Sequence, residues 1–211
     1  MKMSKNLSVA FFFFALLYMV GLSIEVDFLW LLKIIPIALL GVAVLKAESS
    51  LVRSILLFAL FFSACGDLLL AFDSFIYGVA AFLLAQLSYA MIFRSYWKGF
   101  NNRWPFSLVL IMYLFAMVWL LVPKLGNLQI PVMAYLMTIA AMGLLAVMSS
   151  LPIRWAVLGA VLFIISDSFI AINKFISAFP FESYWIMSTY YGAQFMLVTG
   201  FINAAKQQKS K

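Results

Sequence analysis

The stretch FFSACGDLLLAFD (residues 61–73) sets a carboxylate, Asp67, in a run that is otherwise almost wholly apolar from 55 to 72. A run of that length and composition is a membrane span if the rest of the chain is built the same way, and the aspartate then stands in hydrocarbon. The rest of the chain is built that way. Of its 211 residues 67% are hydrophobic and 10% charged, with a mean hydropathy of +1.12, against about half apolar for a soluble domain. The reading is an all-α integral membrane protein, a single polytopic domain over 1–211 with no loop long enough for a soluble unit.

Composition also removes chemistries. There is no histidine, which excludes a Ser-His-Asp triad and a histidine-ligated zinc. The single cysteine, Cys65, lies within a span and offers neither a disulfide framework nor a thiolate cluster. No metal site and no cofactor are expected. The first apolar run follows MKMSKN and ends in GLSIEVD without a small-residue cleavage site, so it reads as a retained helix rather than a secretory signal.

Eight spans are predicted, at about 7–23, 28–45, 51–71, 75–96, 105–122, 128–149, 153–172 and 184–204. Placed on alternate sides of the membrane, Lys2, Lys5, Lys46, Arg53, Arg94, Lys98, Arg103, Arg154, Lys206, Lys209 and Lys211 fall together, against Lys124 and Lys174 opposite. The positive-inside rule makes the first side cytoplasmic and puts both termini inside, as an even count of spans requires. The net charge of +7 is then a topology signal and not a nucleic-acid surface. Glu25, Asp27, Asp73 and Glu182 fall in the outer loops and only Glu48 inside, and the tryptophans near both surfaces form the usual aromatic belt. The expected location is the inner cell membrane.

Three charges remain inside spans: Lys33, Asp67 and Asp167. GDLLLA (66–71) and SDSFIA (166–171) share a small residue, an aspartate and a closing alanine, in the third and seventh spans. The spans that follow end FLLAQ at Gln86 and YYGAQ at Gln194. This raises a 4+4 parallel repeat, with chance as the alternative for so short a match. Counted from the predicted span ends, both aspartates lie roughly 6–9 Å below the outer end of their helices, and Lys33 lies at a similar level. An intramembrane charge costs about 2.5–3.5 kcal/mol and normally faces a cavity or a partner.

Lys33 pairing with one aspartate merely to hold helices together is the structural reading, but it leaves the second aspartate without a cation. Two carboxyls and one ammonium can instead make a site with one ionised and one protonated carboxyl, an acid–base pair. Around it stand Gln86 and Tyr89 of the fourth span, Asn173 of the seventh, and Ser188, Thr189, Tyr190, Tyr191 and Gln194 of the eighth. Tyr190 and Tyr191 read first as packing groups. Gln86 and Gln194 are stronger candidates, since a buried amide needs partners at both ends.

With these residues the chain resembles the YhhN/TMEM86 lysoplasmalogenase family, through LLKIIP, GDLLL, GVAAFLLAQLSY, GAVLFIISDSFIAINKF and YYGAQFML, in that order over most of its length. The resemblance implies eight membrane helices and hydrolysis of the vinyl ether bond of lysoplasmalogens to a fatty aldehyde and a glycerophospho-alcohol. The aspartates of the family's GD and SD motifs match Asp67 and Asp167. Where relatives commonly carry a histidine, this chain has Gln86. Vinyl ether hydrolysis proceeds by protonation of the β-carbon to an oxocarbenium-like cation, addition of water and collapse of the hemiacetal. An acid and a nearby carboxylate suit it, as in glycoside hydrolysis.

The expected catalytic residues are Asp67 and Asp167, in an order the sequence does not fix. Lys33, Gln86, Tyr89, Asn173, Lys174, Tyr190 and Gln194 are the expected substrate-binding residues, with Lys33 or Lys174 meeting the phosphate. The partners are then a lysophospholipid and membrane lipids, with no nucleic acid and no oligomeric state indicated. A proton-coupled small-solute transporter using the same carboxylates is the rival reading, although Pro36, Pro123, Pro131 and Pro152 do not break helices at matching positions in the two halves. A lipid-binding protein whose charges only join helices is the third.

Overall fold

Eight α-helices form where the apolar runs stand: α1 (Lys5–Gly21), α2 (Leu29–Leu45), α3 (Leu51–Ala71), α4 (Phe75–Ser95), α5 (Trp104–Leu121), α6 (Gln129–Val147), α7 (Val157–Phe175) and α8 (Glu182–Lys209). This computed structural model describes residues 4–24, 27–47, 49–99 and 102–209, the last three by backbone alone. Lys2, Glu25, Glu48, Lys211 and the Lys209 side chain, all counted among the topology charges, lie outside what is described. The chain is all-helical among the described residues. Among the described residues five segments are long and apolar enough to cross a membrane by themselves: Leu51–Ala71, Phe75–Ser95, Trp104–Lys124, Gly126–Val147 and Val157–Phe175. The first two helices are apolar but 17 residues long, about 25 Å against about 30 Å of hydrocarbon.

Local chemistry sets the helix ends. Ser4 and Ser50 cap α1 and α3, their hydroxyls accepting from the backbone N–H of Leu7 at 3.3 Å and of Arg53 at 3.2 Å. Arg94 and Lys174 lie in the last turns of α4 and α7, and Glu182 in the first turn of α8, each matched to the helix dipole. The seventh helix runs to Phe175, three residues past the predicted end, because nothing in INKF stops a helix before the loop that leads to Pro180. Asp167 is therefore eight residues, about 12 Å, from its helix end and not five. Asp67 remains four residues from the end of α3.

Small residues decide how closely the site helices approach. A methyl group added at Gly66 would stand 2.6 Å from the Phe82 ring, so the glycine next to Asp67 is what lets α4 lie against α3. The α7–α8, α4–α6, α1–α2 and α2–α3 pairs are the other extensive packings. Tyr89, Phe93, Phe163 and Phe201 fill the centre with no more than 1% exposure. Outside, α5 turns Val109, Met112, Phe115 and Trp119 outward, each 66–74% exposed, a surface that suits lipid tails and not water.

At the end of the bundle expected to be cytoplasmic, the 96–99 and 148–151 segments are joined by Lys98 N–H to Met148 O at 3.1 Å and Ser150 N–H to Tyr96 O at 2.8 Å. Arg103 donates to the carbonyls of Ser149 and Leu151 at 3.1 and 2.8 Å. Arg94 and Arg154 stand over the rings of Trp97 and Trp155 at 4.9 and 5.3 Å, each a cation on an aromatic face. The polar chamber described below lies toward the other end.

Candidate active site

Asp67 is carried into the bundle by α3 and is 2% exposed. Both carboxyl oxygens have donors. The ammonium of Lys33, from α2, stands 3.5 Å from Oδ1, and the Tyr190 hydroxyl, from α8, donates to Oδ2 at 2.8 Å. Lys33 also reaches the Asp67 carbonyl at 3.3 Å. Its own carbonyl accepts from the Tyr191 hydroxyl at 2.8 Å, a turn before Pro36, which has no N–H to give to the carbonyl of Leu32. A charge buried so deeply is tolerated because a counter-charge and a hydroxyl hold it together.

Asp167, on α7, has no cation among its bonded partners. The Tyr135 hydroxyl of α6 donates to its Oδ2 at 2.5 Å, and the Gln86 amide of α4 donates to the same oxygen at 3.4 Å. Oδ1 has no donor among the described residues. The carbonyl oxygen of Gln86 is buried and has no partner among the described residues.

Two cavities meet here. A polar chamber of about 320 Å³ is lined by Tyr18, Lys33, Asp67, Asp73, Ser166, Asp167, Asn173, Lys174, Ser183 and Tyr190 together with apolar side chains. It reaches the exposed Asp73 and Lys174 at the ends of α3 and α7. A second cavity of about 50 Å³ is walled by Leu114, Met117, Leu121, Val132, Leu136 and Ile139 of α5 and α6, with Tyr135 and Asp167 among its few polar groups. Leu70, Phe75, Phe82, Asp167 and Ile170 line both. Of the two aspartates, only Asp167 stands at the junction of a polar and an apolar space.

The sequence-predicted residues divide into three groups. Asp67, Asp167, Lys33, Asn173, Lys174 and Tyr190 come together around the polar chamber. Lys174 places its ammonium 5.3 Å from the Phe75 ring, and the Asn173 side-chain carbonyl oxygen is buried with no partner among the described residues. Gln86 lines neither cavity and touches Asp167 from behind. Tyr89 and Gln194 also line neither: the Tyr89 hydroxyl donates to Gln194 Oε1 at 2.5 Å, and the Gln194 amide donates to the Ser63 hydroxyl at 3.0 Å, a closed buried network. Tyr190, read first as packing, is bonded to a carboxylate. Sequence reasoning missed Tyr135, Tyr18 and the lining role of Asp73; a hydroxyl within an apolar span was the only available mark of the two tyrosines.

Compared with known proteins, residues 28–201 match the model of the YhhN family. A protein of Mycobacterium tuberculosis named lysoplasmalogenase is 35% identical over 153 residues, covering 68% of this chain and 58% of that protein's length. Lysoplasmalogenase TMEM86B of Mus musculus is 35% identical over 144 residues, 66% of this chain and 60% of its own length. Lysoplasmalogenase TMEM86B of Homo sapiens is 32% identical over 174 residues, 79% of this chain and 72% of its own length. The match thus spans about 60% of the length of the mycobacterial and mouse relatives. No solved structure matches the chain.

Proposed function

This chain belongs to the YhhN family, and from that premise we propose that it is a membrane hydrolase cleaving the vinyl ether bond of a lysoplasmalogen to a fatty aldehyde and a glycerophospho-alcohol. All eight helices are read as spans with both termini cytoplasmic, in the inner cell membrane, with the polar chamber in the outer half. The third and seventh helices then occupy equivalent places in a 4+4 parallel repeat. The observation that carries the reading is the position of Asp167 at the junction of the two cavities. A lysoplasmalogen has the same division, a hydrocarbon chain on one side of the vinyl ether and a glycerophosphate on the other.

Seated in that way, the alkenyl chain lies along the α5–α6 wall, the phosphate meets Lys33 or Lys174, and the vinyl ether is held at Asp167. The carboxyls have distinct roles. Asp67 faces a cation and is the carboxylate; Asp167 faces only neutral donors and is the acid, since an uncompensated buried charge is costly. Asp167 gives its proton to the β-carbon, the double bond shifts, and the positive charge spreads over the α-carbon and the ether oxygen. The ionised Asp67, across the chamber, stabilises that cation where water is scarce.

Water adds to the α-carbon while Asp67 takes its proton, giving a hemiacetal. In the collapse Asp67 returns that proton to the departing glycerol oxygen. Asp167 takes the proton of the hemiacetal hydroxyl as the aldehyde carbonyl forms. Both carboxyls end in their starting states, and one water has been consumed.

The test is aldehyde release from lysoplasmalogen by the purified protein in detergent, without any gradient, beside Asp67→Asn and Asp167→Asn variants of equal folding. Turnover by the wild type and its loss in both variants is the expected result. A wild type inactive on choline and ethanolamine substrates overturns the function, and an active aspartate variant overturns the mechanism.

A further inference from the structure

Asp167 receives both of its donors on one oxygen. The Tyr135 hydroxyl at 2.5 Å and the Gln86 amide at 3.4 Å converge on Oδ2, and Oδ1 has no donor among the described residues. A carboxylic acid carries its proton on one oxygen and accepts hydrogen bonds best on the other, its carbonyl oxygen. Two donors fixed on Oδ2 therefore leave Oδ1 to hold the proton. They also lock the carboxyl plane, so that the proton-bearing oxygen keeps a single orientation. Asp67 is held differently, with one donor on each oxygen, the arrangement of a carboxylate.

We propose that Tyr135, seconded by Gln86, is a positioning residue that makes Asp167 Oδ1 the proton-bearing oxygen, rather than a group that binds substrate. The proposal rests on the assignment of Asp167 as the acid. Tyr135 is well placed for it: it comes from α6, a helix that brings no charged group to the site, and its side chain is 9% exposed and lines the apolar cavity up to the carboxyl. Gln86 is 0% exposed, so its amide cannot swing away into the chamber.

The experiment compares the full-length wild type with Tyr135→Phe and Gln86→Leu in detergent, by steady-state aldehyde release and by infrared spectroscopy of the carboxylic C=O stretch, the Asp167 band being identified by its loss in Asp167→Asn. Tyr135→Phe keeps the ring and is expected to lower kcat by roughly 10- to 100-fold with little change in KM, less than the 10²–10⁴-fold a positioned proton donor contributes in full. The Asp167 band should move to higher frequency in Tyr135→Phe as the carbonyl loses its short bond, and less in Gln86→Leu, whose bond is longer. An unmoved band in Tyr135→Phe, no Asp167 C=O band in the wild type, or wild-type kcat in Tyr135→Phe overturns the inference. If the wild type releases no aldehyde, the proposed function fails, while the infrared comparison still decides whether Tyr135 holds a protonated Asp167.

Discussion

Replacing Lys33 by methionine removes the ammonium that faces Asp67 while keeping a side chain of similar length. The nitrogen lies 3.5 Å from Oδ1, and the two side chains are 13% and 3% exposed, so solvent screens the pair little. At that separation the attraction comes to about 5 kcal/mol for an effective dielectric constant of 20. The cost of bringing Asp67 into the bundle stays after the substitution and only the compensation is lost, which puts the expected destabilisation at about 3–5 kcal/mol. Tyr190 still donates to Oδ2, but a hydroxyl does not balance a charge. Adding Asp67→Asn to Lys33→Met should recover most of the loss, because the amide oxygen can accept from Tyr190 with no charge left to compensate. The assay is a double-mutant cycle on reversible unfolding in mixed micelles, with a coupling of about 2 kcal/mol or more expected. Additivity within about 0.5 kcal/mol would refute the pairing and with it the assignment of Asp67 as the carboxylate.

Other outcomes follow from the same geometry. Asp167→Asn should reduce aldehyde release by about 10²–10⁴-fold at a melting temperature near that of the wild type, measured on the same preparations. Gly66→Ala forces a methyl to within 2.6 Å of the Phe82 ring and should cost about 1–3 kcal/mol in thermal unfolding; because Phe82 lines both cavities, turnover should fall as well. Leu136→Trp narrows the apolar cavity and should raise KM for long-chain more than for short-chain lysoplasmalogens, in kinetics across a chain-length series. Lys174→Ala removes an exposed cation at the chamber mouth, which should raise KM for the phosphorylated substrate while shifting stability by less than about 0.5 kcal/mol.

Much of the architecture was legible because a membrane span is a one-dimensional signal. Length and hydropathy mark it, loops of proline and polar residues divide it, and α3 and α4 fall within a residue of their predicted bounds. The end of α7 was placed at 172, three residues early, because the apolar run stops at Asn173 and Lys174, whereas a polar residue in the last helical turn of a span costs little where it meets a chamber. The three charges were legible one by one, since each stands alone in an apolar run. The partition of their partners was not. Lys33 could have served either aspartate, and only the crossing of α2 over α3 assigns it to Asp67.

Composition and periodicity thus determined by themselves that the chain is a bundle of apolar helices with Lys33, Asp67 and Asp167 as the charges within it. Those features depend on which residues are neighbours along the chain. The tertiary structure decided that Tyr135 and Gln86 close on one oxygen of Asp167 and that Tyr190 bonds Asp67. It also decided that the polar and apolar cavities meet at only one of the two carboxyls. Such contacts join residues up to 123 positions apart, and a hydroxyl in a greasy helix carries no mark of what it will face until the helices have packed and every buried donor has had to find its acceptor.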